Sequence, residues 1–565
     1  MNTAQTVHAG SATHEVFNQS TPLENYNLFS TNRGLMDAVA FNGGASHRDF
    51  LSGVGADLGT PHMISAGVLA NQYTPRLATH DGVGNRIDQV EFHPAYHDLM
   101  RAALKWGLHT GPWSESGPAT HVKRAAGFMM FTEIEPSVLC PVSMTYAVIP
   151  ALKHNARIAA DWLPALYGRE YDPRFLPVNR KTAVTMGMGM TEKQGGSDVR
   201  ANTTAAVQAG DGAYALTGHK WFMSAPMCDA FLVLAQAPGG LTCFFLPRIL
   251  PGGEVNALYI QRLKDKLGNR ANASSEVEFN GARAWAVGDE GRGVSTILEM
   301  GTLTRLDCSL GTAGLMRRAL ALALHHTAQR EAFGKRLREQ PIMKNVLADL
   351  ALESEAATAL ALRLARAFDA PNDAGEILVR RVLTPIAKFW ICKRGSHFAQ
   401  EAMECLGGNG YVEAGATAAS ATAAGTTAAG AMARIYREMP LNSIWEGAGN
   451  IMAIDLLRAL RKGPEVIAAL DAELAPARGA NPHFDRFVAT LTGRLDDASA
   501  EESAARRLAQ DVALSVQAAL LQQHAPDFVF EAFCTSRLAG NWGYAFGTLP
   551  AACDFDRIID RAMPS

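Results

Sequence analysis

The chain has 565 residues, more than one ordinary hydrophobic core accommodates, so three or four domains are expected. Hydrophobic residues make up 48% and charged residues 19%, as in a water-soluble globular protein. The formal net charge of −3 excludes a strong overall field toward nucleic acid or anionic lipid, so such a partner would have to bind a local patch.

Cysteine usage and the N-terminal sequence bear on the compartment. None of the eight cysteines forms a CxxC pair, which argues against a disulfide framework or a zinc site. The first residues lack a basic segment followed by an apolar core, and no run of about 18 apolar residues occurs. We therefore expect a cytoplasmic protein that does not span a membrane and that holds no metal.

The first part of the chain is predicted to be an arm followed by a helical domain. Residues 1–34 are rich in Asn, Ser and Thr and are interpreted as an arm lying on the surface. From 35 to 182 the pattern is helical, and His93-Pro94 indicates a helix with proline at its first position.

Residues 183–292 have the pattern of a β domain. The segment 214–224 is interpreted as strand, turn and strand. The runs 231–235 and 242–247 are apolar and bounded by Pro or Gly, and 275–279 alternates polar and apolar residues. A middle β domain is therefore predicted.

The remaining chain is predicted to be helical. Residues 293–464 contain Ala/Leu-rich stretches at helical spacing, and residues 465–565 form a helical C-terminal extension with amphipathic segments such as 504–523. The tract 414–431 contains only Ala, Gly, Thr and Ser. Such a tract cannot bury enough apolar area to offset its ordering entropy, so a disordered or loosely helical loop is expected there.

Two segments carry the candidate chemistry, and the first is TEKQGGSDV at 191–199. Its glycines let the backbone approach a cofactor closely, and Thr191 and Ser197 supply hydroxyl groups. Phe222 and Ser224 follow on the next strand segment as a wall and a donor. A flavin ring needs such donors and apolar walls. Taken alone, the segment is also compatible with a β-turn around a structural Gly-Gly pair.

The second segment is SIWEGAGN at 443–450, which places one carboxylate, Glu446, between a tryptophan and two glycines. Removal of an α-proton from an acyl thioester requires a carboxylate in a dry pocket that raises its pKa. The alternative is a carboxylate at a helix start beside a glycine turn.

The motif series TEKQGGSDV, GHKWFMS, REAFGK, LGGNGY and IWEGAGN resembles the acyl-CoA dehydrogenase family over about residues 35–460. The phrases VFNQ, EFHP, KWF and YREMPLNSIWEG, together with the helical extension, are similar to the AidB branch, which belongs to the bacterial adaptive response to alkylating agents. The resemblance implies an acyl-CoA dehydrogenase fold: an N-terminal α domain, a middle β-barrel-like domain, a C-terminal four-helix bundle and an extra helical C-terminal domain.

The resemblance also implies a FAD cofactor in a homotetramer, arranged as a dimer of dimers. Arg330, Phe333 and Gln340 would reach the FAD of a neighbouring subunit, and Gly407 and Gly408 would lie against its adenosine-pyrophosphate half. Because this glycine pair follows a helical stretch rather than a strand, it does not match a dinucleotide-binding Rossmann fingerprint. The other implied FAD-binding residues are Met188, Met190, Thr191, Gly196, Ser197, Phe222, Ser224, Ile444, Trp445, Gly447 and Asn450.

By the same resemblance, Glu446 would be the catalytic base. Some family members carry their base on the helix near Arg305, but Thr304 is no base. Two residues depart from the family pattern. Ala448 stands where many members have a hydroxyl residue, and Glu404 stands where many have Gln, which places a carboxylate near the expected pyrophosphate.

The AidB branch is associated with binding double-stranded DNA through its C-terminal region. Residues 463–565 carry eight Arg, no Lys and fourteen acidic residues, a net charge of −6, whereas residues 300–400 carry fifteen basic and nine acidic residues, a net charge of +6. A solvated, charge-mixed helix face is the alternative interpretation. The candidate phosphate contacts are Arg458, Arg461, Lys462 and Arg537.

Three functions are compatible with these features. The first is a FAD-containing homotetramer that binds double-stranded DNA and protects it during alkylation stress, with weak acyl-CoA dehydrogenase activity. The second is a metabolic dehydrogenase for a short or branched acyl-CoA thioester, without a DNA role. The third is a flavin-bearing binding protein without turnover.

Overall fold

The structure of the protein is a computed structural model that describes residues 13–413, 428–497 and 501–564. Residues 414–427, most of the Ala/Gly/Thr/Ser tract, lie outside the described residues, and a helix begins at Ala428. Within the described ranges, no helix combines the length and the apolar character needed to cross a bilayer.

The N-terminal segment is mostly helical and contains one hairpin. A hairpin of two antiparallel strands interrupts the stretch predicted to be helical throughout. The helix predicted at His93-Pro94 is confirmed, and the His93 ring accepts a hydrogen bond from the backbone N–H of Ala95 at 3.2 Å. The elements are α1 (Arg33–Val39), α2 (Arg48–Leu58), α3 (Pro61–Gln72), β1 (Arg76–His80), β2 (Arg86–Glu91), α4 (Pro94–Lys105), α5 (Gly111–Ser114), α6 (Thr120–Ile134), α7 (Leu139–Leu152) and α8 (Ala156–Leu166).

The segment interpreted as a surface arm is partly a core element. Leu28 and Phe29 are buried, so the interpretation as a surface arm is wrong for this part of residues 1–34. Further toward the N-terminus, the side chain of Asn18 donates to the carbonyl of Glu331 at 2.9 Å. The described part of the arm is therefore packed against the second helical segment.

The middle segment is a barrel-like sheet in which β3, β6, β4, β5, β9 and β7 follow one another, with β8 beside β9 and a further pairing of β6 with β7 that closes it. Residues of β6 are apolar almost throughout because both of its faces are covered. The strands are β3 (Met186–Gly189), β4 (Ala205–Gln208), β5 (Ala213–Ser224), β6 (Ala230–Ala237), β7 (Gly240–Pro247), β8 (Leu258–Leu263) and β9 (Ser274–Ala286).

The predicted strand-turn-strand at 214–224 is wrong, since β5 runs through it as one strand. Its pairing with β9 shifts register twice, and Gly218 has a φ of +152°. A Cβ at Gly218 would lie 2.6 Å from the hydroxyl oxygen of Thr204. The glycine is thus explained by a close approach of β4 to β5 rather than by a turn.

The second helical segment holds the bundle, in which α9, α10 and α11 pack against one another and α13 packs against α9 and α11. It also packs on the N-terminal segment, where Arg124 of the wholly buried α6 donates to Asp307 of α9 at 2.8 Å. The elements are α9 (Gly293–Gln329), β10 (Glu331–Ala332), β11 (Lys335–Arg336), α10 (Pro341–Asp369), α11 (Ala374–Glu404), α12 (Gly408–Tyr411), α13 (Ala428–Asn442) and α14 (Gly449–Leu460).

The C-terminal extension is helical, as predicted, and its longest helix packs on α10 and α11 of the bundle. A π-helical turn, Cys534–Leu538, follows the fourth of its helices. The helices are α15 (Pro464–Leu474), α16 (Pro482–Asp497), α17 (Ala505–His524), α18 (Asp527–Phe533) and α19 (Phe555–Ala562).

Candidate active site

A buried ion pair joins the loop 191–198 to strand β5. The Lys220 ammonium donates to a carboxylate oxygen of Glu192 at 2.8 Å, and both side chains are 0% exposed. Glu192 also accepts the hydroxyl of Thr204 at 2.6 Å. Burial raises the pKa of Glu192, but the bonds from Lys220 and Thr204 outweigh burial and hold it well below its usual range. The loop is therefore fixed to the sheet by a charged, desolvated contact.

The hydroxyl-bearing end of this loop is also held against β5. The backbone N–H of Trp221 donates to the carbonyl of Thr191 at 2.8 Å. A Cβ at Gly196 would lie 2.4 Å from the hydroxyl oxygen of Thr191, so only glycine fits there. Met188 is buried in β3, whereas Ser197 is exposed at the outer part of the loop. The carbonyl of Met190, which lies just after β3, accepts from the side chain of Asn202.

The far end of β5 presents an uncovered aromatic ring beside a hydroxyl. Phe222 is 49% exposed, and the Lys264 ammonium lies 4.4 Å from its ring centroid. Two residues along, the Ser224 hydroxyl lies 3.2 Å from that of Ser274. An exposed ring with a neighbouring donor is a wall for a flat ligand, so these residues fit a flavin.

Glu446 stands on a strained turn between α13 and α14. Its φ is +58°, and the following Gly447 has a φ of +104°. Arg305 donates to the carbonyl of Glu446 at 2.9 Å, and Lys388 donates to that of Gly447 at 3.0 Å. A non-glycine residue in the left-handed region persists only where its surroundings over-determine it, and two cations on successive carbonyls do so here.

The carboxylate of Glu446 is half-buried and has one hydroxyl partner. Thr304, which is buried in α9, donates to Oε2 at 2.6 Å. Burial raises the pKa of Glu446, and the bond from Thr304 and the charges of Arg305 and Lys388 partly lower it. A carboxylate with a raised pKa, accessible at a strained turn, has the properties of a general base.

The pKa of the Cys140 thiol on α7 depends on residues of both sequence segments. Burial raises the pKa of its thiol to about 12, and the carboxylate of Glu446 contributes to the increase. A hydrogen bond with Ser224 acts on the same thiol in the opposite direction. Ser224 of β5 and Glu446 of the turn therefore both influence the pKa of the Cys140 thiol, although 222 residues separate them in the sequence.

The residues that flank Glu446 lie on the same turn or at the start of α14. The indole N–H of Trp445 donates to the side chain of Asn442 at 3.1 Å, whereas Ile444 is exposed. The side chain of Asn450 accepts from Arg506 of α17 at 2.8 Å. The C-terminal extension thus touches the helix that follows the Glu446 turn.

The structure places three of the predicted FAD-binding residues far from Glu446: Arg330, Phe333 and Gln340. Arg330 caps α9, 26 residues beyond Thr304, which places it about 39 Å along the helix axis. Its guanidinium donates to the carbonyl of Asn18, and Gln340 donates to that of Ala332 at 3.1 Å. Phe333, with a φ of +52°, is 100% exposed at the tip of the β10–β11 hairpin.

Gly407 and Gly408 also lie away from Glu446. They follow the end of α11, which is 16 residues, or about 24 Å, beyond Lys388. Both glycines are exposed, and nothing lies within 4 Å of a Cβ added to either. The nearby carboxylate of Glu404 is exposed and accepts from Gln400 at 3.3 Å.

The four candidate phosphate contacts fall into two groups. Arg458, Arg461 and Lys462 are exposed at the end of α14. The prediction that Arg537 contacts phosphate is wrong. Its side chain is 1% exposed and pairs with Asp349 and with Glu353 at 3.0 Å. Its charge stabilises two buried carboxylates and does not face solvent, so the expected phosphate contact does not apply.

Several residues of the site have no signal of their own in the sequence. Thr304, Arg305 and Lys388 belong to helices whose spacing shows only amphipathic periodicity, so nothing ties them to Glu446. Glu192 and Lys220 do stand inside the two flavin motifs.

The barrel between two helical segments, with a carboxylate presented by the bundle, defines the class of acyl-CoA dehydrogenases. Family models agree along the chain: "Adaptive response protein AidB N-terminal domain" matches residues 18–173, "Acyl-CoA dehydrogenase, middle domain" matches 187–282, and "Acyl-CoA dehydrogenase, C-terminal domain" matches 291–461.

One curated relative places the chain within that class. The putative acyl-CoA dehydrogenase AidB of Escherichia coli (strain K12) is 48% identical over 485 residues, which are 86% of this chain and 87% of the relative. The chain therefore belongs to the acyl-CoA dehydrogenase family and to its AidB branch.

Solved structures show the same fold. Bd2924 in its apo form has a TM-score of 0.79 and 28% identity, and the match covers 90% of this chain and 100% of that one. Caenorhabditis elegans ACDH-11 in complex with C11-CoA has a TM-score of 0.81 at 24% identity, covering 100% and 95%. A Bacillus anthracis acyl-CoA dehydrogenase complexed with FAD has a TM-score of 0.62 at 17% identity, covering 79% and 81%.

Proposed function

We propose that the protein is a FAD-dependent acyl-CoA dehydrogenase in which Glu446 is the base. The observation that carries this proposal is the position of Glu446, a carboxylate with a raised pKa that is held at positive φ by Arg305 and oriented by Thr304. Family membership and the fit of Phe222 to a flat ring support FAD as the cofactor. When bound, FAD supplies the hydride acceptor.

The chain's own residues prepare proton removal from an acyl-CoA thioester. Glu446 takes the α-proton, and the Thr304 hydroxyl, donating at 2.6 Å, holds the carboxylate in one orientation. Arg305 and Lys388 fix the turn through its carbonyls. Thr191, Ser224 and Phe222 would hold the flavin on the sheet side, and Trp445 would close the site on the bundle side.

The remaining FAD contacts are proposed to come from a second copy of the chain in a homotetramer. Phe333 is fully exposed, and Arg330 lies about 39 Å along α9 from Thr304. One copy therefore cannot bring both Arg330 and Glu446, which Thr304 contacts, to the same flavin ring. This separation supports the assignment of Arg330, Phe333, Gln340, Gly407 and Gly408 to the cofactor of a neighbouring subunit.

Anaerobic reduction by a short branched acyl-CoA tests the proposal. Glu446→Gln should retain FAD, seen as an unchanged visible spectrum, and lose bleaching by the thioester. The conservative change keeps the size of the side chain and removes its basicity. Bleaching at the rate of the unaltered protein would remove Glu446 from the role of base, and a protein that cannot take up FAD would end the proposal.

We also propose that the protein binds double-stranded DNA and protects it in the cytoplasm during alkylation. Membership of the AidB branch and the exposed cations Arg458 and Lys462 support this role. The metabolic alternative is favoured by a different observation: Arg317, Arg318 and Arg363 are buried, so the positive excess of residues 300–400 is partly internal. A salt-sensitive mobility shift of any duplex, measured on the same FAD-loaded preparation, decides between the two.

A further inference from the structure

The C-terminal extension contains a cleft that shares no lining residue with the candidate active site. It has a volume of about 310 Å³ and lies between α16 and α17, with the segment 537–542 at its base. This volume is at the lower end of the range for small-molecule pockets, which begins at about 300 Å³. The cleft is thus large enough for one small organic molecule.

Three guanidinium groups surround the cleft. Arg486 and Arg494 come from α16, and Arg507 comes from α17. Asp511 is the acidic residue among the lining side chains, and it is buried. Arg507 donates to it through Nε at 2.9 Å, so both terminal nitrogens of that guanidinium keep donors for another acceptor. The rim therefore carries more positive charge than Asp511 neutralises.

The base of the cleft has a buried donor without an acceptor. Arg537 lines the cleft and pairs with Asp349 and Glu353 through its terminal nitrogen, but its Nε has no hydrogen-bond partner. A buried guanidinium N–H that lacks an acceptor costs free energy unless a ligand or water supplies one.

The remaining lining is apolar and aromatic. Phe487 and Trp542 line the cleft together with leucines of both helices. The Arg537 guanidinium lies 5.0 Å from the ring centroid of Trp542. An aromatic side chain beside a cationic rim favours a ligand with a flat ring and an anionic group over a bare inorganic ion.

We propose that this cleft binds a small ring-bearing phosphate of mononucleotide size, with the phosphate on the arginine rim and the ring against Phe487 and Trp542. Guanidinium forks match phosphate oxygens in pairs, which lysine cannot do. The inference is independent of the dehydrogenase chemistry, because no residue of the cleft contacts Glu446 or the flavin loop.

The test titrates adenosine 5′-monophosphate into FAD-loaded protein by calorimetry, so that the flavin site is already filled. Inorganic phosphate and adenosine are titrated separately, and each should bind at least about tenfold more weakly than the nucleotide. Arg486→Gln, which leaves Asp511 its ion pairs with Arg494 and Arg507, should weaken nucleotide binding by about tenfold.

Arg507→Lys keeps the ion pair with Asp511 and removes the fork, so a similar loss is expected. Arg557→Lys is the matched control, since its side chain is 63% exposed against 61% for Arg507 and it does not line the cleft. Unchanged melting temperature and FAD content show that each variant is folded.

Three outcomes would overturn the inference. The first is no nucleotide binding to the loaded protein, or nucleotide binding by both rim variants that is as tight as by the unaltered protein. The second is phosphate binding as tightly as the nucleotide, which removes the role of the aromatic rings. The third is an Arg486-dependent shift of a short duplex without nucleotide binding, which assigns the rim to a DNA surface.

Discussion

Thr304 donates its hydroxyl proton to Oε2 of Glu446 at 2.6 Å across 142 residues of sequence. The hydrogen bond stabilises the ionised form of the carboxylate and opposes the effect of burial on its pKa. Helix α9 has no carboxylate at Thr304, and it instead supplies the hydroxyl that orients the carboxylate of Glu446.

Thr304→Val should therefore move the pH profile of acyl-CoA-dependent bleaching. Without the hydroxyl, burial acts on Glu446 with less opposition, its pKa rises, and the rising limb of the profile shifts to higher pH. Thr302→Val, at a half-buried position of the same helix that does not contact Glu446, is the control. A limb at the same pH in both variants would show that Thr304 does not hold the base.

Lys220→Met should destabilise the fold strongly. The substitution leaves the carboxylate of Glu192 buried without its cation, which costs about 3–5 kcal/mol. Lys220→Met combined with Glu192→Gln should recover part of that loss, since no unpaired charge remains. Unfolding in urea measures both, and Lys193→Met, on the exposed part of the loop, should stay near the unaltered value. A single variant as stable as this control would contradict the prediction.

Glu133 of α6 should make stability depend on pH. Burial raises its pKa to about 7, against the lowering effect of Arg317 and Arg318. The folded state then holds a proton that the unfolded chain releases above about pH 4.5. This contribution to stability is complete below that pH and is lost as pH rises through 7.

Glu133→Gln should therefore flatten the dependence of the unfolding free energy between pH 5 and 8. The difference from the unaltered protein should reach on the order of 2–3 kcal/mol above pH 7. Urea unfolding at several pH values measures it, with Glu254→Gln as an exposed control. Parallel curves for Glu133→Gln and the unaltered protein would assign the dependence to other groups.

Reversing two charges at the end of α14 should weaken any contact with duplex DNA. If Arg458 and Lys462 each neutralise a phosphate, Arg458→Glu with Lys462→Glu should lower the salt slope of the binding constant by about 2. The spectrum of bound FAD should not change. Arg478→Glu is the control. An unaltered salt slope would show that DNA binds at another surface, or it would favour the metabolic alternative.

Arg537→Met should lower the thermal stability of the fold and should not act through a lost contact with DNA. It leaves Asp349 without its cation and Glu353 with Arg394 as its remaining partner, which is expected to cost about 3 kcal/mol. Thermal unfolding monitors the loss. A variant that melts like the unaltered protein but no longer shifts DNA would restore the role first assigned to Arg537.

The order of the segments along the chain, helical, then β, then helical, could be predicted from the sequence. Long amphipathic stretches and buried apolar runs have distinct periodicities, which indicate helices and strands respectively. The hairpin β1–β2 was not predicted because its residues are half-exposed and mixed in polarity. Gly218 was taken for a turn because sequence alone does not reveal the approach of Thr204. Local pattern thus identifies long elements better than it identifies close contacts between them.

For the site, the sequence supplied the residues of each motif but not the partners that hold them. Glu446 and Ser224 were predicted from their motifs, whereas Thr304 and Lys388 depend on the packing of α9 and α11 against the turn. Arg537 shows the reverse error. Counting cations along a chain does not separate a surface charge from one that neutralises buried carboxylates.

The hydrogen bond from Arg506 to Asn450 ties the C-terminal extension to the turn that carries Glu446. Helix α17 braces the first turn of the helix that follows Glu446, so the appended domain supports the position of this carboxylate even if it never meets a ligand. A chain trimmed at residue 464 to resemble a shorter dehydrogenase would lose that brace. Its activity would then report a loosened turn as well as a missing domain.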